Sequence, residues 1–488
     1  MSSTTAKSRG LRRLLWPHLA PQLAVFGVAL LLGLTLAAMS AAQPLLTRMV
    51  IDQGLIGRHF SVLAGACLGM LGLAALGFVL GGVHRAVYVR AAGRSLLSLR
   101  SEVYEHLLRV SPRRLTRIPV GDLVSRLDGD IAEVQRFGTD AAASFIASVL
   151  SLAAIGAVML ALSWRLTLLV AALLPLQLLV RHHARPRIES STRALRASAA
   201  SLSGFLVETL SGVRQVQSAA AERLEARRLA ELGDAYLKRV LRQQWVTYAT
   251  GSSAALLGHV ATAATFVLGG WYALRGELSV GTLVAFVSYL GRSAGSAASI
   301  TALYSSYQRA RVSLERIDEL LELPPVRESP AAVPLLADAR GALRFDSVSV
   351  SASEGRPVLD AVSFDIQAGS KVLLCGVSGT GKSTLADLLR RFIDPDSGEI
   401  LLDGRSLEAY RLEDLRRRIA VVEHSPTLFR GTILENLRYG HEQVGDAEAI
   451  EAARRTGVHE FVEKLPQRYA TEVGEGGAGL STGQRQRI

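Results

Sequence analysis

The sequence predicts a multi-pass α-helical membrane domain, six spans with long cytoplasmic helical extensions, followed by an α/β domain. Three observations predict it. The first 300 residues hold six long apolar runs that are almost free of charge. The basic residues between those runs collect on one side of the expected bilayer. Beyond residue 340 the pattern changes to short strand-like segments and a glycine-rich loop between a strand and a helix.

The runs lie near 21–44, 61–83, 141–164, 166–180, 246–274 and 278–300. A crossing helix needs about 20 predominantly apolar residues, and five runs reach that length. The run 166–180 has 15 residues before Arg181 and carries Pro175. It still spans if its helix begins near Ser163 and Arg181 reaches back to the interface. Six such runs are too many for the buried helices of one globular core. The first run follows Arg12 and Arg13, as a signal peptide would, but it exceeds the ~7–15 apolar residues of one and five more runs follow. Gln43, Gln177 and His259 are the main polar groups within the runs. Each is a candidate for lining a path or for a helix–helix contact.

Charge fixes the orientation. The formal net charge is +12, with a pI near 10.1, which in a soluble chain would suggest a nucleic-acid binder. The distribution excludes that reading. Residues 1–300 carry 31 Lys+Arg against 15 Asp+Glu, and residues 301–488 carry 24 against 28. With the N-terminus inside, the inner segments 1–20, 84–140, 181–245 and the region after 290 hold 27 of those 31 cations. The outer loops hold only Arg48, Arg58, Arg165 and Arg275. This is the positive-inside pattern, and it places everything after residue 300 in the cytoplasm.

The inner segments read as helical extensions of the spans, with Leu96, Leu97, Leu107 and Leu108 at helical spacing. Pro112 and the Gly121–Asp122 pair mark a break, and Ser211–Gly212 marks a second. Pro324, Pro325, Pro330 and Pro334 read as a linker. The expected organisation is a cytoplasmic N-terminus (1–20), a membrane domain (21–317), a linker (318–340) and the α/β domain (341–488). Expected strands cover Ala342–Val350, Val358–Ile366 and Lys371–Cys375. Two cysteines, Cys67 and Cys375, exclude a disulfide scaffold and a four-Cys zinc site.

The strand at 371–375 leads into GVSGTGKS (376–383), which fits G-x-x-x-x-G-K-[ST]. A helix bearing Leu385, Leu388, Leu389 and Phe392 is expected after it. Glycines let backbone N–H groups wrap a phosphate, and the helix N-terminus adds a positive dipole end. Gly376, Ser378, Gly379, Thr380, Gly381 and Thr384 supply the cradle. Lys382 reaches the β/γ-phosphates, and the Ser383 hydroxyl ligates Mg²⁺. With only five lysines in the chain, the pattern is unlikely to arise by chance. The α/β domain is therefore of the P-loop NTPase type. A second element, LSTGQRQRI (480–488), places Ser481 and Gln484 as a capping box at a helix start.

Six spans, long cytoplasmic loops, a P-loop and this last element together resemble an exporter-type ABC half-transporter. GDLVSRLDGDIAEVQRF (121–137) and SGVRQVQSAAAE (211–222) resemble the regions around the two coupling helices, and GELSVGTLVAFVSYL (276–290) resembles the lead into the sixth span. RFIDPDSGEILLDG (391–404) and LFRGTILENL (428–437) resemble the stretch between P-loop and signature.

The resemblance implies ATP and Mg²⁺ as cofactors and pairing as a homodimer or heterodimer with another half-transporter. It implies no nucleic-acid partner. The setting is the lipid bilayer, the inner (plasma) membrane in a bacterium. It implies that Ser481, Gly483 and Gln484 address the ATP held by the partner subunit, and it leaves the transported substrate open. The sequence departs from the family pattern at Ala352, where an adenine-stacking aromatic is usual. It departs also at His424, in the glutamine position of the Q-loop, and at Thr482, where glycine is usual. The family's Walker B aspartate, catalytic glutamate and switch histidine are expected beyond Ile488. On this reading the nucleotide-binding domain is incomplete at its C-terminus and the chain holds no catalytic residue. A non-hydrolytic partner in a heteromer and an inactive truncated remnant are the alternative readings. Asp403 and Glu423 are expected as turn or strand-end residues, not bases.

Overall fold

The computed structural model describes residues 11–334, 339–351, 357–377, 379–423, 426–441, 443–477 and 479–488. Ala352, Ser378 and His424 lie outside the described residues. The chain divides into two compact units. One holds residues up to 108 together with 119–322; the other holds 109–118 together with 323–488.

The helices in chain order are α1 (Leu11–Leu19), α2 (Leu23–Met49), α3 (Phe60–Arg109), α4 (Pro112–Leu115), α5 (Val120–Ser125) and α6 (Ile131–Arg136). Then come α7 (Ala142–Leu162), α8 (Trp164–Ser211), α9 (Val213–Ser218), α10 (Glu222–Leu274) and α11 (Val280–Leu321). Each apolar run lies in one long helix: α2, α3, α7, α8, α10 and α11 in turn. Among the described residues, Leu15–Ile56, Phe60–Arg109, Val120–Leu162 and Glu222–Leu274 are long and apolar enough to cross a membrane. Large apolar side chains face outward along these helices, Phe78 being 85% exposed, as a lipid-facing surface requires. The short fourth run begins where expected. Ser163 ends α7 in an extended conformation, and its hydroxyl caps α8 by accepting the Leu166 N–H at 3.4 Å.

Both expected breaks occur, one with a shift. Gly121 and Asp122 fall in the first turn of α5, not in the break, which covers the residues between Arg109 and Val120. A carboxylate in a helix's first turn meets the positive end of its dipole, so Asp122 favours the helix that it was expected to interrupt. At the second break, Gly212 separates α8 from α9, and Ala219–Ala221 precede α10.

Charged residues tie α5 and α6 to the end of α11. Arg126 donates to Asp122 at 3.0 Å and to Glu319 at 2.8 Å. Asp130 accepts from Ser313 at 2.7 Å and from Arg316 at 3.3 Å, and Glu133 accepts from Arg309 at 2.7 Å. At the other end of α11, Asp52 reaches over from a wide helical turn at Val50–Ile56. It accepts the Gly281 N–H at 2.8 Å and the Ser279 hydroxyl at 2.5 Å. A carboxylate here caps α11 electrostatically. Residue 281 is glycine because a Cβ would stand 2.6 Å from both the Arg48 carbonyl and Asp52 Oδ1. Between these ends Phe286 and Tyr289 of α11 are fully buried with Ile155, Met159 and Leu166. Gln43 accepts from Arg292 at 2.9 Å, a helix–helix contact; the side chain of Gln177 is outside the described residues.

The second unit opens with a sheet of β1 (Leu343–Ser351), β2 (Pro357–Ile366), β3 (Ser397–Leu402) and β4 (Arg405–Ser406), in order β2-β1-β3-β4 and antiparallel throughout. The helix α12 (Lys382–Leu389) buries Leu385 and Leu388 among Phe345, Val348, Leu359, Ile400 and Leu415. Leu415 belongs to α13 (Leu412–Arg418). A second cluster holds β5 (Gly431–Thr432), α14 (Ile433–Leu437), α15 (Asp446–Arg455), α16 (His459–Val462), β6 (Glu472–Val473) and α17 (Thr482–Arg487) around Ile433, Val458, Val462 and Tyr469.

Two expectations change here. Residues 371–375 form no strand, and Leu373 is 85% exposed. A strand exists only through its ladder, and no described residue pairs with this segment. The helix after the loop ends at Leu389, so Phe392 lies beyond it, where Arg391 turns the chain with φ +49°.

Asp403 is a turn residue, as expected. With Gly404 it joins β3 to β4, both at positive φ, the backbone that an Asp-Gly hairpin turn demands. Its carboxylate accepts the N–H groups of Arg340 (2.8 Å), Gly341 (3.2 Å) and Ala342 (2.8 Å). Burial pushes this carboxyl upward, but those bonds and the Arg340 charge outweigh it and hold it below the ordinary 3.8. A depressed carboxyl contributes stability above its unfolded value and loses it as pH falls through the folded value. Amide protection at Arg340–Ala342 should therefore drop as pH falls below about 3.8. In Asp403→Asn it should be weak and independent of pH over that window, as hydrogen exchange would measure.

Candidate functional site

The loop 376–383 is held by what lies behind it. Gly381 ends the loop and serves as N-cap of α12 with φ +87°, and a Cβ there would stand 2.8 Å from Leu359 Cδ2. Leu359 is part of the sheet core. Glycine at 381 thus meets two demands, a left-handed backbone and close approach to a packed side chain. No side chain caps α12, so its first-turn N–H groups and positive dipole end remain available to an anion.

Lys382 bends back over the loop. Its Nζ donates to the carbonyls of Gly376 at 2.7 Å and Val377 at 2.8 Å, and approaches Thr380 Oγ1 at 3.4 Å. Thr380 in turn donates to the Val377 carbonyl at 2.9 Å. The ammonium therefore sits at the loop that would receive a phosphate. The Ser383 side chain is exposed, while Thr384 is half-buried. One hard hydroxyl oxygen suits Mg²⁺, which takes few protein ligands and completes its shell with phosphate oxygens and water. These residues fit a Mg²⁺–nucleoside triphosphate. Asp387, one turn on, is pushed up by burial against the opposing charges of Arg113 and Arg390.

The second element forms the predicted capping box. Ser481 Oγ accepts the Gln484 N–H at 3.2 Å, and Gln484 Oε1 accepts the Ser481 N–H at 2.8 Å. Thr482 Oγ1 accepts from Arg485 at 3.2 Å, which gives the departure from glycine a local use. Gly483 has open space around its missing Cβ. The loop and this cap are not brought together: α12 packs in the sheet cluster, and Leu480 and Ile488 pack in the second cluster. Among the described residues no hydrogen bond or ion pair joins 376–383 to 481–484. Glu423 approaches Arg390 at 4.0 Å and its carbonyl accepts from Gln486 at 3.4 Å, a connecting role and not that of a base.

Sequence reasoning missed two features. A second capping box, Thr432 with Glu435, starts α14, and its T-x-x-E signal was available. Arg391, only 4% exposed, had no sequence signal, because nothing distinguishes a buried arginine in a row of charged neighbours.

Comparison with known proteins gives consistent matches. The family described as ABC transporter transmembrane region matches residues 26–292, and that described as ABC transporter matches residues 359–488. The uncharacterized ABC transporter ATP-binding protein YknV of Bacillus subtilis is 30% identical over 449 residues, covering 90% of this chain and 73% of that protein. The ATP-dependent lipid A-core flippase of Chromohalobacter salexigens is 32% identical over 424 residues, covering 86% and 72%. The solved structure of a bacterial Atm1-family ABC exporter with ATP bound matches with a TM-score of 0.77 at 24% identity, covering 96% of this chain and 83% of that one. At that identity the likeness speaks for the fold.

Gly381→Ala should destabilise the sheet unit by more than about 1 kcal/mol, since alanine is both strained at positive φ and crowded. Ser481→Ala should lower stability by about 1 kcal/mol through loss of the cap. Denaturant titration followed by amide exchange in β1 and α14 would separate the two effects.

Proposed function

The chain belongs to the ABC transporter family, and from that premise we propose that it is an ATP-binding half-transporter of the exporter type. In the assembled transporter, ATP binding and hydrolysis are coupled to movement of a substrate across the membrane. The observation that carries the reading is the loop closed by Gly381 on α12, with Lys382 Nζ 2.7 Å from the Gly376 carbonyl and the Ser383 hydroxyl exposed. When bound, Mg²⁺–ATP supplies the phosphate charge and the bond whose hydrolysis resets the cycle.

The residues divide the work. Lys382 exchanges loop carbonyls for β/γ-phosphate oxygens, and Ser383 presents its hydroxyl to the metal. Gly376, Gly379, Thr380, Gly381 and Thr384 line the cradle. Ser481, Gly483 and Gln484 face the nucleotide of a second half-transporter, identical or different; within one chain their neighbours Leu480 and Ile488 pack in a separate cluster from the one that holds α12. The chain crosses the membrane, the inner (plasma) membrane in a bacterium, six times through α2, α3, α7, α8, α10 and α11. The interruptions at α4 and α9 are the coupling elements.

The proposed substrate is amphipathic. A cavity of about 540 Å³ lies between α2, α3 and the start of α7. Leu23, Phe26 and Leu30 line it on one side, and His84, Arg85 and Asp140 on the other. That pairing suits an acyl chain with a charged head, and the Chromohalobacter relative is a lipid A-core flippase by name.

A fluorescent ATP analogue should bind the chain in nanodiscs, and Lys382→Ala should weaken it at least tenfold; equal affinity in the variant would refute the nucleotide reading. Native mass spectrometry should find a retained lipid. Gly27→Leu, which fills open space in the cavity, should release it. A chain that retains no lipid would sink the amphipathic substrate.

A further inference from the structure

The second unit contains a pocket of about 660 Å³ at the far end of α12 from the phosphate-binding loop, between α4, the linker at 323–326 and the turn 391–396. Its charge is unbalanced. Arg113, Arg114, Arg117 and Arg391 line it, against Asp394 and Asp396. Both carboxylates are engaged: Asp394 accepts from Arg391 Nε at 3.1 Å, and Asp396 accepts the Ser351 N–H at 2.6 Å.

Arg391 is the anchor. It is 4% exposed, its Nη2 donates to the Arg327 carbonyl at 2.9 Å, and its Nη1 has no hydrogen-bond partner among the described residues. A buried donor left unpaired is costly, more so on a charged group. The surroundings add to the excess. Arg390 and Arg416 lie over the Phe392 ring at 4.5 and 5.1 Å, and Arg416 donates to the carbonyls of Arg390 and Arg391 at 3.1 and 3.2 Å. The Arg416 guanidinium is held below its ordinary value by burial and then by Arg390 and Arg391, while Asp394 pairs with Arg391 and Glu423 approaches Arg390 at 4.0 Å. The walls are fixed in place: Ser111 donates to the Phe392 carbonyl, Arg113 Nη2 donates to the Ser351 carbonyl at 2.9 Å, and the Val326 N–H donates to the Arg109 carbonyl at 2.9 Å.

We propose that this pocket binds a small soluble phosphate compound, with Arg113 and Arg114 as the contacting guanidinium groups and Arg391 as the buried charge in the wall. Phosphate suits the arrangement better than a single carboxylate. Its oxygens accept from several guanidinium donors at once; Arg113 and Arg114 of α4 offer them, and Arg391, after α12, adds its charge from the wall. The volume admits a diphosphate with a substituent. The site is distinct from the nucleotide loop, which lies at the N-terminus of α12, whereas Arg391 follows its C-terminus.

The test uses the full chain in phosphatidylcholine nanodiscs, carrying Lys382→Ala so that the nucleotide loop contributes little. Equilibrium dialysis with labelled inorganic pyrophosphate should give saturable binding of one per chain. The double variant Arg113→Gln/Arg114→Gln should weaken it at least tenfold, and Arg391→Lys should weaken it similarly. Should Arg391→Lys misfold, the double variant alone decides, since Arg114 is exposed and Arg113 half-buried. No saturable binding, or equal affinity in the double variant, would overturn the proposal. So would loss of pyrophosphate binding when phosphatidylglycerol replaces phosphatidylcholine, because the pocket would then belong to a lipid headgroup.

Discussion

Within a bilayer no water pairs with a backbone N–H or C=O, so each crossing segment has to close its own hydrogen bonds. The first unit follows from that constraint. Its long helices run on without a break for 50 residues in α3 and 53 in α10. The two interruptions, at 110–119 and 212–221, fall in the basic segments where water is at hand. Ladder irregularity next to an apolar run takes another form, at Val50–Ile56 and at Phe137–Ala141, where the helix widens and does not open. The widening at Val50–Ile56 is put to use, since it presents Asp52 to the start of α11.

Polar groups in this unit accordingly appear in closed sets. Three of the four cations assigned to the outer side find local partners: Arg48 with Asp52 at 3.4 Å, Arg165 with Glu277 at 2.7 Å, and Arg275 over the Trp271 ring at 3.7 Å. On the inner side the pairs between α5–α6 and α11 hold two elements nearly 190 residues apart in sequence. Exposed pairs of this kind are each worth little alone. Their contribution lies in register, because Asp122, Asp130 and Glu133 meet successive positions of one helix face only in one alignment.

Much of this was legible because it is local. Apolar run length sets the helices, Ser163 and Ser481 cap the helices that follow them, and the glycine spacing at 376–381 defines its own turn. What was not legible depends on distant chain. Residues 371–375 have the composition of a strand but lack a ladder, since strand formation is decided by neighbours and not by the segment itself. Gly121–Asp122 signals either a turn or a helix start, and the contact of Asp122 with Arg316 of α11 goes with the helix start. The capping of α11 by Asp52 joins residues 229 apart, a pairing that no window along the sequence contains. Phe392 continues the apolar spacing of α12, yet the left-handed residue before it ends the helix.

The posture of Lys382 has a consequence for how tightly the loop can bind. Its ammonium already donates to two carbonyls of the same loop, so those carbonyls would compete with a phosphate oxygen for it. On the proposed reading, an arriving nucleotide would meet a site competent only in the fraction of molecules whose lysine has let go, and its apparent dissociation constant would be the intrinsic one divided by that fraction. A change that weakens the hold of the Gly376 and Val377 carbonyls, and gives the ammonium no new partner, would therefore sharpen affinity without touching the nucleotide. In this way the loop is tuned by its own backbone.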